Sequence, residues 1–480
     1  MAFLPELTLL AGALVLFIIA LGENEGRAAK NAAWIIAAAT IATSLASLGQ
    51  HDTLFNGAYR VDAFSQWLKL ALSIGFFLVV WLSGELPDIR EDAKPEYFLF
   101  MTVSATGLFL LVSSIDLITL IVSLELSSFP LYFLIPMRRE REHQRSQMES
   151  AIKYMMFGVA ANGTMLFGLS YLYGITGSTS IPVMMEKLQP VLSTPLATAG
   201  LAMLFAGLFY KLAIFPFHFW TPDVYQGGSN ETAGLIASLP KLGAIAVLVR
   251  LVSLASPQHE TIITLLSCLA IGSMAYGNLI ALAQTDFKRL LGFSGIAHAG
   301  YALVGFVAMD SAGFTASLYY ITSYVLMVLA CFVVISRVSR NGTNLAINDL
   351  AGLHRRSPLL AVTLLVGVFA LAGLPPFPGF IGKLALLKAA LNQGHTALVI
   401  ITVVNAAIAI YYYLSIIREA YFRNGENLPT IHICTRTRLL CTILILAILT
   451  LGLAPNTLLD TISSSLAGID SAAPAIASLR

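Results

Sequence analysis

Leu208-Phe-Tyr-Lys-Leu-Ala-Ile-Phe-Pro-Phe-His-Phe-Trp-Thr-Pro-Asp-Val-Tyr-Gln-Gly-Gly228 puts Lys211 deep in an apolar run, with Pro216 little more than a helical turn beyond it. Inside a bilayer both are costly. A mid-membrane lysine costs roughly 2.5–3.5 kcal/mol on insertion scales, and proline removes a backbone hydrogen bond that lipid cannot replace. Function is the usual reason such residues persist, so the stretch reads as a broken membrane helix carrying a working cation.

Composition agrees with a membrane protein. Of 480 residues 57% are hydrophobic and 11% charged, and the mean hydropathy is +0.80, unlike a large soluble core. The N-terminus lacks a basic segment and a small-residue cleavage site, and Glu6 stands where a lysine would be expected, so the first helix is expected to be retained. The net charge of +2 says little about partners. Cys268, Cys331, Cys434 and Cys441 form neither a Cys-x-x-Cys nor a Cys/His cluster, which argues against an iron–sulfur site, a structural zinc or a disulfide framework. Redox chemistry is expected elsewhere.

Apolar runs of about 20 residues, the length that spans the hydrocarbon core, predict an all-α polytopic protein of about 14 transmembrane helices. The spans are 2–21, 30–48, 61–83, 96–113, 115–136, 148–174, 197–219, 229–252, 260–282, 286–308, 311–336, 358–393, 396–417 and 438–460. The twelfth is too long for one straight crossing, reaching roughly 54 Å at 1.5 Å per residue. Gly373-Leu-Pro-Pro-Phe-Pro-Gly379 lies inside it, which predicts a second broken helix.

Basic residues orient the chain. Odd-numbered loops carry Arg27, Lys30, Arg90, Lys94, Arg138, Arg139, Arg141, Arg145, Lys288, Arg289, Arg337, Arg340, Arg355, Arg356, Arg418, Arg423, Arg436 and Arg438, whereas even-numbered loops and the C-terminus hold only Arg60, Lys187, Arg250 and Arg480. The positive-inside rule puts the odd loops in the cytoplasm and both termini on the outer, periplasmic side. Helices 7 and 12, the broken pair, are five apart and therefore enter from opposite sides. That is the signature of an inverted-topology repeat, helices 4–8 against helices 9–13, with function at the two discontinuous helices. The expected division of the single membrane domain 1–480 is 1–95 for helices 1–3, 96–252 for repeat one, 260–417 for repeat two and 438–460 for helix 14.

Depth sorts the intramembrane charges. Glu125 in helix 5, Lys211 in helix 7, Lys241 in helix 8 and Lys383 beyond the break in helix 12 form a row near the midplane. Desolvation favours a neutral amine and a nearby carboxylate favours the ammonium, so moving one charge can switch a lysine between states. A proton relay needs that property. His298, on one face with Ser294 and Tyr301, and His218, beyond Lys211, would extend the line because imidazole titrates near neutrality. The plainer alternatives are a structural ion pair or snorkelling for the lysines, above all for Lys153 near the cytoplasmic end of helix 6 and for Lys69 and Lys388 nearer the outer surface. A buried hydrogen-bonded histidine would look the same. Asp116 reads as a helix cap, and the arginine runs of loops 5 and 11 as mainly topogenic.

Phe217-His-Phe-Trp-Thr-Pro-Asp-Val-Tyr-Gln-Gly227, preceded by Lys211, strongly resembles the subunit N family of bacterial respiratory complex I, the proton-translocating NADH:quinone oxidoreductase. Supporting stretches are Leu124-Glu-Leu-Ser-Ser-Phe-Pro-Leu-Tyr132, Ala151-Ile-Lys-Tyr154, Ala283-Gln-Thr-Asp-Phe-Lys-Arg-Leu-Leu291, Ile296-Ala-His-Ala-Gly-Tyr301 and Gly373-Leu-Pro-Pro-Phe-Pro-Gly-Phe-Ile-Gly-Lys383, in order over most of the chain. The resemblance implies one proton path of the membrane arm. Glu125 and Lys211 would be its coupled pair, Lys241 the central relay and Lys383 the link towards the outside, with His218 and His298 as intermediates; Lys153 is a further relay candidate from its place in helix 6. It also implies no cofactor in this chain, with NADH, FMN, iron–sulfur clusters and quinone in partner subunits. Subunits M and K would be its neighbours, in a bacterial inner membrane, with no nucleic-acid role. The chain departs from the family where Gly228-Ser-Asn-Glu-Thr-Ala233 stands in place of the usual Ala/Ser-Pro-Thr-Pro-Val after Gly227, and where Ser294-Gly-Ile replaces Ser-Ser-Ile. Two other functions remain open: a cation/proton antiporter subunit of the same fold, and a non-conducting spacer of the arm.

Overall fold

The computed structural model describes residues 1–22, 26–140, 146–252, 260–425 and 428–470, with side-chain surroundings up to 467. Arg141, Arg145 and Arg480, used above for orientation, lie outside the described residues. The helices are α1 (Leu4–Ala20), α2 (Arg27–Ala46), α3 (Ala63–Leu82), α4 (Lys94–Ser113), α5 (Leu117–Leu134), α6 (Ser146–Thr176), α7 (Ile181–Leu188), α8 (Pro195–Leu212), α9 (Thr221–Gly227), α10 (Asn230–Val252), α11 (Glu260–Ala281), α12 (Phe287–Val307), α13 (Ser311–Val338), α14 (Leu353–Arg356), α15 (Pro358–Ala372), α16 (Pro378–Asn392), α17 (Thr396–Phe422), α18 (Thr435–Leu453) and α19 (Pro455–Asp470). A short hairpin, β1 (Asp52–Leu54) and β2 (Tyr59–Val61), joins α2 to α3.

Among the described residues eleven helices are long and apolar enough to cross a membrane, and α1 and α15 are shorter apolar helices. With α8–α9 and α15–α16 each taken as one interrupted crossing, the order reproduces the predicted succession. The hydrophobic windows of α10 and α12 are 100% buried and that of α13 is 89% buried, against 33% for α6, α17 and α18. Helices apolar all round belong in the interior, so α10, α12 and α13 form the core. The outer helices turn Met156, Phe167, Val403 and Tyr411 outwards, where water would penalise them and lipid or a partner subunit does not.

The two interruptions are built alike. α8 stops because Ala213 turns left-handed (φ 62) and Ile214 N–H bonds Phe209 O at 2.9 Å; α15 stops because Gly373 does the same (φ 82) and Leu374 N–H bonds Phe369 O at 3.1 Å. Phe217 N–H then reaches Ile214 O, and Phe377 N–H reaches Leu374 O. Rings pair across each break at 6.4 Å (Phe209–Phe217) and 6.3 Å (Phe369–Phe377). Phe, Pro and Phe thus recur at one constant sequence spacing, Phe209 to Phe369, Pro216 to Pro376 and Phe217 to Phe377, as an inverted repeat requires. Capping follows the local chemistry. Asp116 accepts from Ile118 N–H and Thr119 N–H at the start of α5, and Asp62 forms a reciprocal cap with Ser65 at the start of α3.

Four expectations need correction. Helix 7 does not end at 219, because Thr221-Pro222 restarts a helix that runs to Gly227. Helix 14 does not reach 460, because α18 ends at Leu453 and Pro455 begins α19, which packs on α3 and α13. Lys69, placed nearer the outer surface, takes the ion-pair alternative and not snorkelling: it is fully buried against Glu6 at 2.8 Å, and Glu6 also accepts from the Tyr59 hydroxyl at 2.6 Å. Arg138 is more than a topogenic charge. Only 4% exposed, it bonds Asp88 at 2.6 Å, Gln226 O at 2.8 Å and Gly342 O at 2.9 Å, tying three segments together.

Gly107 sets the α4–α5 distance. A methyl group there would meet the backbone of Leu126 and Ser127, with Leu126 C at 2.7 Å. Backbone cannot rotate aside, so Gly107→Ala is expected to destabilise by about 1–3 kcal/mol through overpacking. A lower melting temperature of the purified complex would register it, and an unchanged one would mean that α5 moves freely.

Candidate functional site

Lys211, in the last turn of α8, is 3% exposed. Its ammonium donates to Ser128 Oγ at 2.8 Å, to Leu124 O at 3.4 Å and to Ser127 Oγ. The two serines are held in turn by bonds from their hydroxyls to Leu124 O, at 2.8 and 2.9 Å. Glu125 looks the other way. Half-buried on the flank of α5, it accepts a hydrogen bond from Asn162 Nδ2 of α6. The predicted pair therefore lies on two faces of α5, and forms no ion pair within 4.0 Å, although each charge lies within the field of the other. Neighbouring positions on a helix point in different directions, which is why Glu125 and Ser127 serve different partners.

Lys241 follows Pro240 in the middle of α10 and is fully buried. It donates to Gly295 O at 2.8 Å and to the Tyr324 hydroxyl at 3.5 Å, with its charge 4.9 Å from that ring's centre. Gly295 makes the approach possible, since a Cβ there would stand 2.9 Å from Lys241 Nζ. The Tyr324 ring lies 5.0 Å from the His298 ring. His298 sits between two phenols, with Nδ1 2.6 Å from Tyr320 Oη and Nε2 2.9 Å from Tyr413 Oη. Beyond it Tyr301 accepts from Asn278 at 2.9 Å, and the Tyr301 ring lies under the Lys383 ammonium at 4.8 Å. Lys383 itself bonds Ala372 O at 3.0 Å and Leu371 O at 3.3 Å, the open carbonyls of the α15 end.

The structure thus links Lys241, His298 and Lys383 through tyrosines, whereas Lys211, on α8, bonds instead to Leu124, Ser127 and Ser128 of α5. It does not bring in Lys153 or His218. Lys153 bonds Asp223 and Glu149, both at 2.7 Å, at the basic end of the bundle, where Arg289 also reaches Asp223 at 2.6 Å. His218 is caged by the rings of Phe215, Phe219 and Tyr276 at 5.4, 4.5 and 4.3 Å, and both its nitrogens are without partners. Of the phenols, sequence reasoning named Tyr301 alone. Tyr324, Tyr320, Tyr413 and Tyr301 carry the contacts, and the buried, unpartnered hydroxyl of Tyr225 comes near the Lys241–Tyr324 contact at Gly295. The i, i+4 pair Tyr320 and Tyr324 on α13 was the available signal. Among the described residues no group of three or more His, Cys, Asp or Glu side chains could hold a metal.

Comparison with known proteins gives this arrangement a context. The family profile described as "NADH:quinone oxidoreductase/Mrp antiporter, TM" matches residues 114–409. The chain is 65% identical over 469 residues to NADH-quinone oxidoreductase subunit N 2 of Opitutus terrae, covering 98% of both. A chain in the structure of respiratory complex I from Thermus thermophilus with bound aureothin superposes with a TM-score of 0.81 at 31% identity, covering 95% of this chain and 98% of that one. A chain of the Mrp complex from Dietzia has a TM-score of 0.86 at 19% identity over 98% and 97%, a likeness of fold alone.

Proposed function

Since the chain belongs to the NADH:quinone oxidoreductase/Mrp antiporter family, as a proton-translocating subunit of the subunit N type, we propose that Lys211, Lys241, His298 and Lys383 carry the proton through it. One observation supports this most: Lys241, Tyr324, His298, Tyr301 and Lys383 form an unbroken succession of contacts through the buried α10, α12 and α13 core, between the two interrupted helices. Structural lysines have no reason to be strung together at such cost in lipid.

In this reading the basic end is cytoplasmic, the termini are periplasmic, and the subunit sits in a bacterial inner membrane beside subunits M and K. Quinone reduction, with its NADH, FMN and iron–sulfur chemistry, takes place in other subunits. When Glu125 swings to Lys211 the carboxylate holds the ammonium. When the two part, as here, only neutral oxygens remain around Lys211, and its proton is driven towards Lys241 and then Lys383. The proton changes carrier at each step and no bond to carbon is made or broken. Lys153 and His218 are left to structural roles.

Lys211→Ala tests the reading in native membranes, after a native gel has shown that the complex assembles. Proton pumping and NADH:quinone activity are both expected to fall roughly fivefold, which is about 1 kcal/mol on the barrier. Survival of both would make the midplane lysine structural and the subunit a spacer.

A further inference from the structure

Glu231, on the first turn of α10, is 2% exposed, and its Oε2 has no hydrogen-bond partner. Beside it Asn230 is fully buried with both Oδ1 and Nδ2 unpartnered. Such atoms cost about 1–3 kcal/mol each when left unsatisfied. The charges acting on Glu231 come from three other segments: Arg337 of α13, Lys288 of α12, and Asp88 after α3. Lys288 is fully buried and donates to Gly228 O at 2.9 Å. Arg337 pairs with Glu85 at 2.6 Å and keeps its Nε unpartnered, while Asp88 is held by Arg138. On the remaining side the Thr232 hydroxyl lies between Ser229 Oγ at 2.9 Å and Tyr97 Oη at 3.3 Å. Among the described residues, Glu231 is the carboxylate of this buried polar cluster that no ion pair holds.

Position on the helix adds a second, independent observation. Ser238 and Lys241 follow Glu231 at i+7 and i+10, on one face of α10, a stripe roughly 15 Å long at 1.5 Å per residue. Between them Gly234 packs so closely that an added Cβ would lie 3.0 Å from Leu82 and 3.3 Å from Phe332. Leu82 and Phe332 thus close against α10 between the Glu231 cluster and the level of Lys241. A titratable group on the far side of that apolar contact from an amine relay is where a proton would wait before crossing.

We propose that Glu231 is the proton-loading group of this chain. Its carboxylate takes a proton from the aqueous phase at the basic end and becomes a carboxylic acid. When Leu82 and Phe332 part, that proton passes along the Ser238 face of α10 to Lys241 whenever its amine is neutral, a supply from the basic end separate from the one that Lys211 gives it; the amine becomes an ammonium and the carboxylate is restored. The proposal rests on the reading of Lys241 as a relay.

The test uses the whole complex in sealed membrane vesicles carrying Glu231→Gln, Glu231→Asp or Lys241→Ala. The glutamine variant keeps size and hydrogen bonding but cannot carry a proton. It is expected to assemble, to pump at least threefold more slowly, and to lose the decline of pumping at alkaline pH that marks a loading group running short of protons. Aspartate should restore most of the rate. Parent-like pumping with an unchanged pH profile in the glutamine variant, together with loss of pumping in Lys241→Ala, would overturn the loading role and leave the relay standing. Normal pumping in Lys241→Ala would overturn the relay itself. Should the glutamine variant fail to assemble, the aspartate variant decides: a displaced alkaline limb supports the proposal, and a parent-like one overturns it.

Discussion

Lys241→Ala is expected to lower NADH-driven proton pumping by tenfold or more, about 1.4 kcal/mol or above on the limiting barrier, while the complex still assembles. The ammonium makes two polar contacts, to Gly295 O and Tyr324 Oη, and no ion pair with a described carboxylate. Removing it therefore strands no opposite charge, and the loss falls on conduction more than on folding. Without the amine, the Glu231 level and the Tyr324–His298 contact lose the basic group that stands between them. Lys241→Arg separates the explanations. A guanidinium stays protonated under all conditions of the assay, so a relay that must release its proton fails with arginine as with alanine. A cation needed only for its charge would be rescued. Quenching of a pH-sensitive dye in vesicles, read beside NADH oxidation, gives both rates from one sample.

Arg138→Ala is expected to remove the assembled complex altogether. Breaking a buried ion pair by deleting one partner costs about 3–5 kcal/mol, a large share of the stability of a typical domain. Here the same guanidinium also supplies Gln226 O, Gly227 O and Gly342 O, at 2.8, 3.3 and 2.9 Å. The end of α9, the segment after α13 and the loop holding Asp88 would lose their common fastener. A native gel of solubilised membranes should show the band gone. Arg138→Lys should give a weakened band, since a lysine keeps the charge without the fork of donors. Arg138→Ala with Asp88→Asn should recover part of the loss, because no opposite charge is then left behind. A full-strength band for the alanine variant would mean that the loops are held independently.

Much of this was legible in the residues because a bilayer imposes coarse rules. Length and hydropathy located the crossings, and prolines at Pro216 and Pro375-Pro376 marked both breaks. What escaped was mostly direction. Glu125 and Ser127 sit two apart, and only the packed helix shows that one faces α6 and the other α8. Arg138 resembles any cytoplasmic arginine until its surroundings close over it. Tyrosines in an apolar run look like core filling, yet here the hydroxyls of Tyr320 and Tyr413 hold His298, and the rings of Tyr324 and Tyr301 bridge it to Lys241 and Lys383. Lys153 was uncertain for the opposite reason, since a lysine one turn inside a helix end has equal access to depth and to surface, and Asp223 and Glu149 hold it at the surface. Lys69 looked equally superficial, and its partner Glu6 lies far away in sequence.

The carbonyls at the end of α15 give Lys383 a property that Lys211 lacks. A helix C-terminus carries a partial negative charge of about half an electron, and Leu371 O and Ala372 O present it directly to the Lys383 ammonium. That counter-charge is backbone, fixed in place by the fold. Lys211 bonds instead to Ser127 Oγ, Ser128 Oγ and Leu124 O, none of them a helix end. On the proposed proton path Lys383 would therefore be the reservoir and Lys211 the switch, so a proton that reached Lys383 would rest there while the switch reset, and the traffic would acquire a direction.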